Sequence, residues 1–359
     1  MRVLFVSPLP PPAGGIATWT SIISKYGLGD GFGYRIVNSG LLPSQTINSC
    51  QKVTFLQLLR NVRILALQIG EHVCFRPHIV HVCTGVSSMG IIRDFFCLLI
   101  AHVFFSKGIV HFHRNLPDAC NGNIEKMMVT VVTLITHQQI VLNALSSRYL
   151  SAAVRGANPV VLPNFIDAEM VGTGSHHKKE DGSRIKGIYC GHLLPQKGVM
   201  DIVSVAPEFP EIDFTLAGLM GEELQKLIHK KPGNVIILPN QNRSDLLALY
   251  SQYDFLLFLS HSEGFPYAVL EAMAAGLPIV GTRVGAVPEM VDEGLGGKLC
   301  EPGNLDSIKQ AIRSIVKSSD RFAMGKHNRL KVMQQYTYDV IRLELLGIYE
   351  HLKRKTDYD

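Results

Sequence analysis

The chain lacks any apolar run long enough to cross a bilayer. Its longest candidate, Gly90 to Phe105, is interrupted by Arg93, Asp94 and His102 and falls short of the roughly 20 residues that a spanning helix needs. It reads instead as a buried crossover helix. At the amino end, Arg2 is followed only by Val3-Leu4-Phe5-Val6 before Ser7-Pro8, too short an apolar stretch for a secretory leader, and no export is implied. The seven cysteines (Cys50, Cys74, Cys83, Cys97, Cys120, Cys190, Cys300) are scattered, odd in number and without a C-x-x-C pair. That speaks against a disulfide frame or a zinc ribbon and for reduced thiols in the cytoplasm. Internal repeats and low-complexity tracts are absent too.

What is present is ordinary globular composition. With 359 residues, 47% hydrophobic and 18% charged, the chain is long enough for two domains with separate cores. The net charge of +5 is unevenly spread: residues 1–167 carry 13 Lys/Arg against 6 Asp/Glu, and the remainder 22 against 24. A basic first half suits a surface drawn to anionic lipid or to a phosphate-bearing acceptor. Lys52, Arg60 and Arg63, interleaved with Phe55, Leu56, Leu58, Leu59, Ile64 and Leu65, form either a basic amphipathic face or a packed helix whose arginines cover its outer edge.

Short apolar runs alternate with helix-like segments from end to end, the pattern of parallel α/β sheets. Strands are expected near Val3 to Val6, Arg35 to Asn38, Ile79 to Cys83, Gly108 to Phe112, Gln139 to Leu142 and Val160 to Leu162. A polar, glycine-rich stretch, Gly172 to Ser183, then breaks the periodicity and marks a domain boundary. The pattern restarts at Ile185 to Cys190 and continues through Phe214 to Ala217, Val235 to Leu238, Phe255 to Leu259 and Ile279 to Gly281.

The most informative stretch is Ser262-Glu263-Gly264-Phe265-Pro266-Tyr267-Ala268-Val269-Leu270-Glu271, closed by Gly276. It places two carboxylates across a strand-to-helix turn, with Pro266 suited to the first helical turn. An ionised Glu only accepts hydrogen bonds, and its two oxygens match the two hydroxyls of a vicinal diol. Between them, the N–H groups and positive end of a helix favour a phosphate. Diol, phosphate and diol in that order describe a nucleotide sugar. Two unrelated surface glutamates at a solvated helix start are the plainer alternative, disfavoured by the buried strands on either side.

This segment resembles the E-x7-E signature of the retaining GT-B glycosyltransferases of family 4, the glycosyl transferases group 1, and further matches extend over nearly the whole chain. The resemblance implies an α/β architecture of the GT-B fold, with two Rossmann-like parallel-sheet domains facing an interdomain cleft. The expected division is 1–167 for an acceptor-side domain and 168–337 for a nucleotide-sugar-binding domain, with a last helix, about 338–359, packing back on the first. By resemblance Glu271 holds the donor ribose and Glu263 contacts the transferred sugar. Backbone N–H groups at Gly264 and Phe265, beside Pro266, assist.

Other elements carry the same likeness. Ser7 to Thr18 is a proline-stiffened loop with Gly14-Gly15 opening a helix, where the family has a donor-contacting Gly-Gly. Ile109-Val110-His111-Phe112-His113 ends a strand in a polar turn, and His113 fits the family histidine near the donor sugar better than His111. A buried structural role is the default for His111, and a metal pair lacks an evident third ligand. Cys190-Gly191-His192-Leu193-Leu194-Pro195-Gln196-Lys197-Gly198 resembles the element whose Arg and Lys grip the diphosphate. Lys197 is retained, while His192 replaces the Arg; Arg283 or Arg243 are alternative cations.

The reading is a retaining, metal-independent and cofactor-free glycosyltransferase that uses a UDP- or GDP-sugar, with His113, Glu263 and Lys197 as its catalytic residues. The expected acceptor is a hydroxyl, with a polyprenyl-diphosphate-linked glycan of cell-surface polysaccharide or lipopolysaccharide assembly as the favoured case. The place is the cytoplasm, with room for peripheral contact at the inner face of an anionic membrane. Nucleic acid is not an expected partner. The alternatives are another GT-B enzyme (epimerase, hydrolase or phosphorylase) or a noncatalytic subunit that binds nucleotide or glycan.

Overall fold

The computed structural model describes residues 1–11, 14–40, 55–171, 184–220, 231–239, 241 and 243–354. The chain divides into two compact units, Met1–Asn164 with Asp339–Asp359, and Phe165–Tyr338. The glycine-rich stretch 172–183 and Lys52 lie outside the described residues.

The first unit is built on six parallel strands: β1 (Arg2–Ser7), β2 (Gly33–Asn38), β3 (Ile79–Thr84), β4 (Lys107–Phe112), β5 (Gln138–Val141) and β6 (Val160–Val161). They lie in the order β2-β1-β3-β4-β5-β6. Because helices cover both faces of such a sheet, its central strands are buried with no in-out alternation; Val3, Leu4, Phe5 and Val6 are all fully buried. Three of its helices matter below: α1 (Gly15–Tyr26), α2 (Phe55–Cys74) and α3 (Ser88–Val103). The last of these is the expected crossover helix, and it buries Ile91, Cys97, Leu98 and Ala101 against the sheet. Its charged interruption is also inside, with Arg93 and Asp94 paired at 2.6 Å. The final helix, Tyr338–Arg354, sends Tyr349 beneath the sheet, where its hydroxyl meets His81 Nδ1 at 2.8 Å. Among the described residues, no helix is long and apolar enough to cross a membrane.

The second unit repeats the scheme with β7 (Ile185–Cys190), β8 (Ile212–Gly218), β9 (Val235–Pro239), β10 (Phe255–Phe258), β11 (Ile279–Thr282) and β12 (Gly297–Cys300). Their order is β12-β11-β10-β7-β8-β9, all parallel. Val199, Ile202, Phe214, Phe255, Leu257, Val280, Ile308 and Ile312 belong to one buried cluster. The strand β12 is absent from the sequence expectation. It is only four residues long and opens on Gly296-Gly297, which reads as a turn, yet it pairs residue for residue with β11.

Each sheet reverses its winding once. In the first unit the chain moves from β1 outward to β2, then returns to the other side of β1 with β3; in the second it moves from β7 through β8 and β9, then returns with β10. Loops leaving the carboxyl ends of two strands that wind in opposite directions splay apart, leaving a crevice where open α/β sheets bind ligands. Those two points are β1/β3 and β7/β10.

Candidate functional site

At the second unit's reversal, the loops after β7 and β10 are the ones that carry Lys197 and Glu263. Beyond β7, Pro195–Lys197 forms a single 3-10 turn, and Gly198 follows at φ +73°. A Cβ there would sit 2.0 Å from the Leu259 carbonyl oxygen, so only glycine lets this turn press against the loop after β10. The same contact is tied by the Gln196 carbonyl, which accepts from the His261 N–H at 3.1 Å, and by His261 Nε2 with Asp201 Oδ2 at 2.8 Å.

The result is an ion pair, with Lys197 Nζ 2.6 Å from Glu263 Oε1. Ser260 Oγ donates to the same oxygen at 2.9 Å, and Thr282 Oγ1 donates to the Ser260 carbonyl at 2.5 Å. Two donors on Oε1 hold the Glu263 carboxylate in one orientation. An ammonium carries three N–H donors, so Lys197 keeps donors for a ligand. The opposite wall is Gly285, at φ +49°, where a Cβ would lie 1.9 Å from the Glu263 carbonyl oxygen. Ser260 and Thr282 escape sequence reasoning because a hydroxyl at a strand's end is common; the informative signal is their place, Ser260 two residues past β10 and Thr282 the last residue of its neighbour β11.

Downstream of Glu263, Phe265 and Pro266 are buried and the helix Tyr267–Ala274 begins, with Pro266 as its N-cap residue in an extended conformation and no side-chain cap. Pro266 therefore stands one position before the helix, not within its first turn; its fixed φ suits either place. The helix ends in a Schellman arrangement, Gly276 N–H to the Met273 carbonyl at 3.0 Å and Leu277 N–H to Ala272 at 2.9 Å. Glu271, the fifth helical residue, is 7% exposed, and its charge helps push the Cys190 thiol up to about 12, after burial itself. The Gly264 carbonyl accepts from the Ala286 N–H at 2.9 Å, fixing the turn between the two glutamates.

His192 is half-buried, with Nε2 lacking a hydrogen-bond partner. Burial lowers its pKa, the Lys197 charge lowers it further, and Glu263 opposes the shift only in part. It is therefore neutral at pH 7. Of the alternative cations, Arg283 is engaged by Glu293 at 2.5 Å and Glu301 at 3.4 Å; the Arg243 side chain lies outside the described residues.

In the first unit, Gly14 is the extended N-cap of α1 and Gly15 its first residue. A Cβ at Gly14 would meet nothing within 4 Å, so this loop faces open space. His111 and His113 stack at 3.9 Å between ring centroids under Trp19. Desolvation lowers His113 and His81 to about 3 and holds His111 well below its usual value. Both ring nitrogens of His113 lack a partner. Among the described residues the His111–His113 pair gains no third ligand, but a different trio comes together, with ligand atoms of His81, Cys83 and His111 within 4.8 Å of one another. However, His81 uses one nitrogen on Tyr349 and the other on His111, at 3.3 Å, and burial pushes the Cys83 thiol up to about 12. The cluster is wired by hydrogen bonds and disfavours a thiolate.

Residues 175–337 match the family model described as glycosyl transferases group 1. That match falls within the second unit, Phe165–Tyr338. Relatives extend the similarity: an uncharacterized glycosyltransferase of Methanocaldococcus jannaschii is 24% identical over 281 residues, 70% of this chain and 78% of that protein. N-acetyl-alpha-D-glucosaminyl L-malate synthase of Bacillus anthracis is 32% identical over 177 residues, 46% of this chain and 45% of that enzyme. Among solved structures, sucrose-phosphate synthase from Thermosynechococcus elongatus superposes with a TM-score of 0.80 at 14% identity, covering 99% of this chain and 100% of that one. Anabaena HepE in complex with UDP-glucose does so at 0.73 and 16%, covering 98% and 100%. With these neighbours, the two parallel six-stranded sheets and their helices are the GT-B fold.

Proposed function

We propose that the chain is a retaining, metal-independent glycosyltransferase moving a sugar from a nucleoside-diphosphate sugar to a hydroxyl acceptor. The observation that carries this reading is the Lys197–Glu263 pair, oriented by Ser260 at the β7/β10 reversal and followed by an uncapped helix start that leads to buried Glu271. HepE was solved with UDP-glucose, which supports a UDP-sugar as donor here. In this reading Glu271 takes the ribose diol, and the helix start and Lys197 take the diphosphate. Glu263 takes the transferred sugar, beside the Gly264-Phe265-Pro266 turn. His113, Gly14 and Gly15 are assigned to the donor on family resemblance.

In the step itself, the acceptor oxygen bonds to the anomeric carbon on the face that the diphosphate leaves, and the bond from that carbon to the phosphate oxygen breaks. The departing phosphate takes the acceptor proton, giving a glycoside and a nucleoside diphosphate. Charge growing on the leaving group is met by Lys197 and by the helix dipole, the type of preorganised electrostatics that dominates such barriers. His113, uncharged at pH 7, acts as a hydrogen-bonding group and not as an acid. The favoured acceptor is a lipid-linked glycan in cell-surface polysaccharide assembly, consistent with the basic first half of the chain and its exposed Phe55, Leu56 and Val62.

A neutral His192 in place of an arginine favours one second reading, a subunit that binds nucleotide without turnover. Purified protein offered a panel of labelled UDP- and GDP-sugars with lipid-linked acceptors separates the two. Nucleotide binding with no transfer across the panel sinks the enzyme reading.

A further inference from the structure

The first unit's own reversal point, β1/β3, holds a cavity of about 380 Å³ lined by the starts of α1 and α3, the end of β2 and the inner face of α2. That volume lies within the roughly 300–1,000 Å³ of small-molecule pockets. Its charged lining is two guanidinium groups, Arg60 and Arg93, against one carboxylate, Asp94. The two arginines differ. Each guanidinium nitrogen of Arg93 has an acceptor, Nε and Nη2 giving to Asp94 Oδ1 at 2.9 and 2.6 Å and Nη1 to the Ser39 carbonyl at 3.3 Å. Arg60, from the first turns of α2, has Nε and Nη1 buried with no acceptor among the described residues.

A structural arginine in such a place is normally fully paired, because a buried N–H without an acceptor loses its hydrogen bond to water and gains nothing in return. Arg60 lines the cavity, while Arg63 stays exposed. Two neighbouring groups are also unsatisfied, Ser39 Oγ, on a residue 5% exposed, and Asn61 Oδ1. The α1 helix opens onto the same space through Gly14 and Gly15, with no side-chain cap.

We propose that this cavity is an oxyanion subsite, in which Arg60 grips a phosphate-type group of the acceptor while Ser39 and Asn61 bind its hydroxyls. Calling the ligand the acceptor rests on the function proposed above; the oxyanion chemistry does not. Surplus positive charge, a helix start and unpaired N–H donors select an anion. Ile16 and Met89 give the cavity an apolar wall beside these groups.

The test uses the full chain saturated with UDP, so that the second unit's site is filled, and titrates inorganic pyrophosphate by calorimetry at constant ionic strength. Wild type binds; Arg60→Gln weakens binding tenfold or more, and Arg60→Lys by less, since a lysine keeps the charge without the planar fork. The urea midpoint of Arg60→Gln stays equal to or above that of wild type, because the substitution removes buried N–H groups that have no partner. Equal pyrophosphate affinity in wild type and Arg60→Gln overturns the proposal, as does a large loss of stability that Arg60→Lys restores without any effect on binding. Absence of UDP binding in the first step counts against the nucleotide reading alone, and the pyrophosphate titration still reports on Arg60. Competition by phosphatidylcholine vesicles containing phosphatidylglycerol, but not by phosphatidylcholine alone, assigns the oxyanion to a lipid headgroup; no competition assigns it to a free phosphorylated acceptor.

Discussion

Lys197 Nζ and Glu263 Oε1 stand 2.6 Å apart although 66 residues separate them in the chain. The contact exists because Gly198 lets the turn after β7 rest on the loop after β10. Removing the cation frees the Glu263 carboxylate and, on the proposed reading, takes a positive side chain from the leaving diphosphate. Lys197→Ala is expected to lower kcat/KM about a hundredfold or more, with a smaller loss in Lys197→Gln, which keeps a donor. Steady-state kinetics on the best donor provide the check, and a wild-type value removes Lys197 from the site.

Glu271 is buried at 7% exposure on a short helix, and a ribose diol would meet it with charge-assisted hydrogen bonds worth about 1.5–3 kcal/mol. Glu271→Gln should therefore weaken UDP binding by roughly 10- to 150-fold with little change in fold. Calorimetric titration with UDP and with uridine measures it, and a loss confined to UDP would move Glu271 from the ribose to the phosphates.

His192 is uncharged at pH 7 because burial and Lys197 both oppose its proton. Restoring the cation as His192→Arg is expected to tighten UDP binding by about tenfold, one charge-assisted contact. The measurement is UDP affinity between pH 6 and 8. Wild-type affinity should rise toward low pH as the bound diphosphate protonates His192, and the variant should be flat.

The buried histidines set a pH limit on the first unit. His81 and His113 have folded-state pKa values of about 3 and His111 is also well below its usual value, against about 6.5 in the unfolded chain. Above pH 6.5 neither state binds these protons and stability is full. As pH falls from 6.5 toward 3, the unfolded chain takes up protons that the folded one refuses, and stability drops by up to about 1.4 kcal/mol per pH unit for each histidine. Urea midpoints at pH 7 and 5 test this, with His113→Phe reducing the slope.

Gly198→Ala should destabilise the second unit by more than about 1 kcal/mol, since it combines a left-handed backbone with a Cβ 2.0 Å from the Leu259 carbonyl. The loss should appear in the urea midpoint and, through the displaced Lys197 turn, in UDP affinity. Unchanged values of both would show that the turn does not depend on the glycine.

Much of the architecture was legible because fully buried parallel strands such as Val3 to Val6 and Phe255 to Phe258 are uniformly apolar. The strand Gly297–Cys300 was hidden, since its pairing is dictated by β11 and not by its own composition. Within the candidate site, Glu263 and Lys197 are legible as charged residues in the loops after β10 and β7, and Glu271 by its spacing from Glu263, whereas Ser260 and Thr282 are not: a hydroxyl bond of this kind depends on which strands become neighbours. Arg60 shows the converse. Its helical phase on α2 fits an outer basic face as well as an inward cavity, and only the packing of α2 over the β1/β3 end decides between them.

The most direct test of the central claim is the reaction itself, followed on purified chain with α-linked UDP- and GDP-sugars and hydroxyl acceptors, including polyprenyl-diphosphate-linked glycans, by NMR of the anomeric proton. The account predicts release of nucleoside diphosphate and an α-linked product, without added metal, that disappears in Lys197→Ala. Nucleotide binding with no glycoside formed from any donor, or a β-linked product, would contradict it.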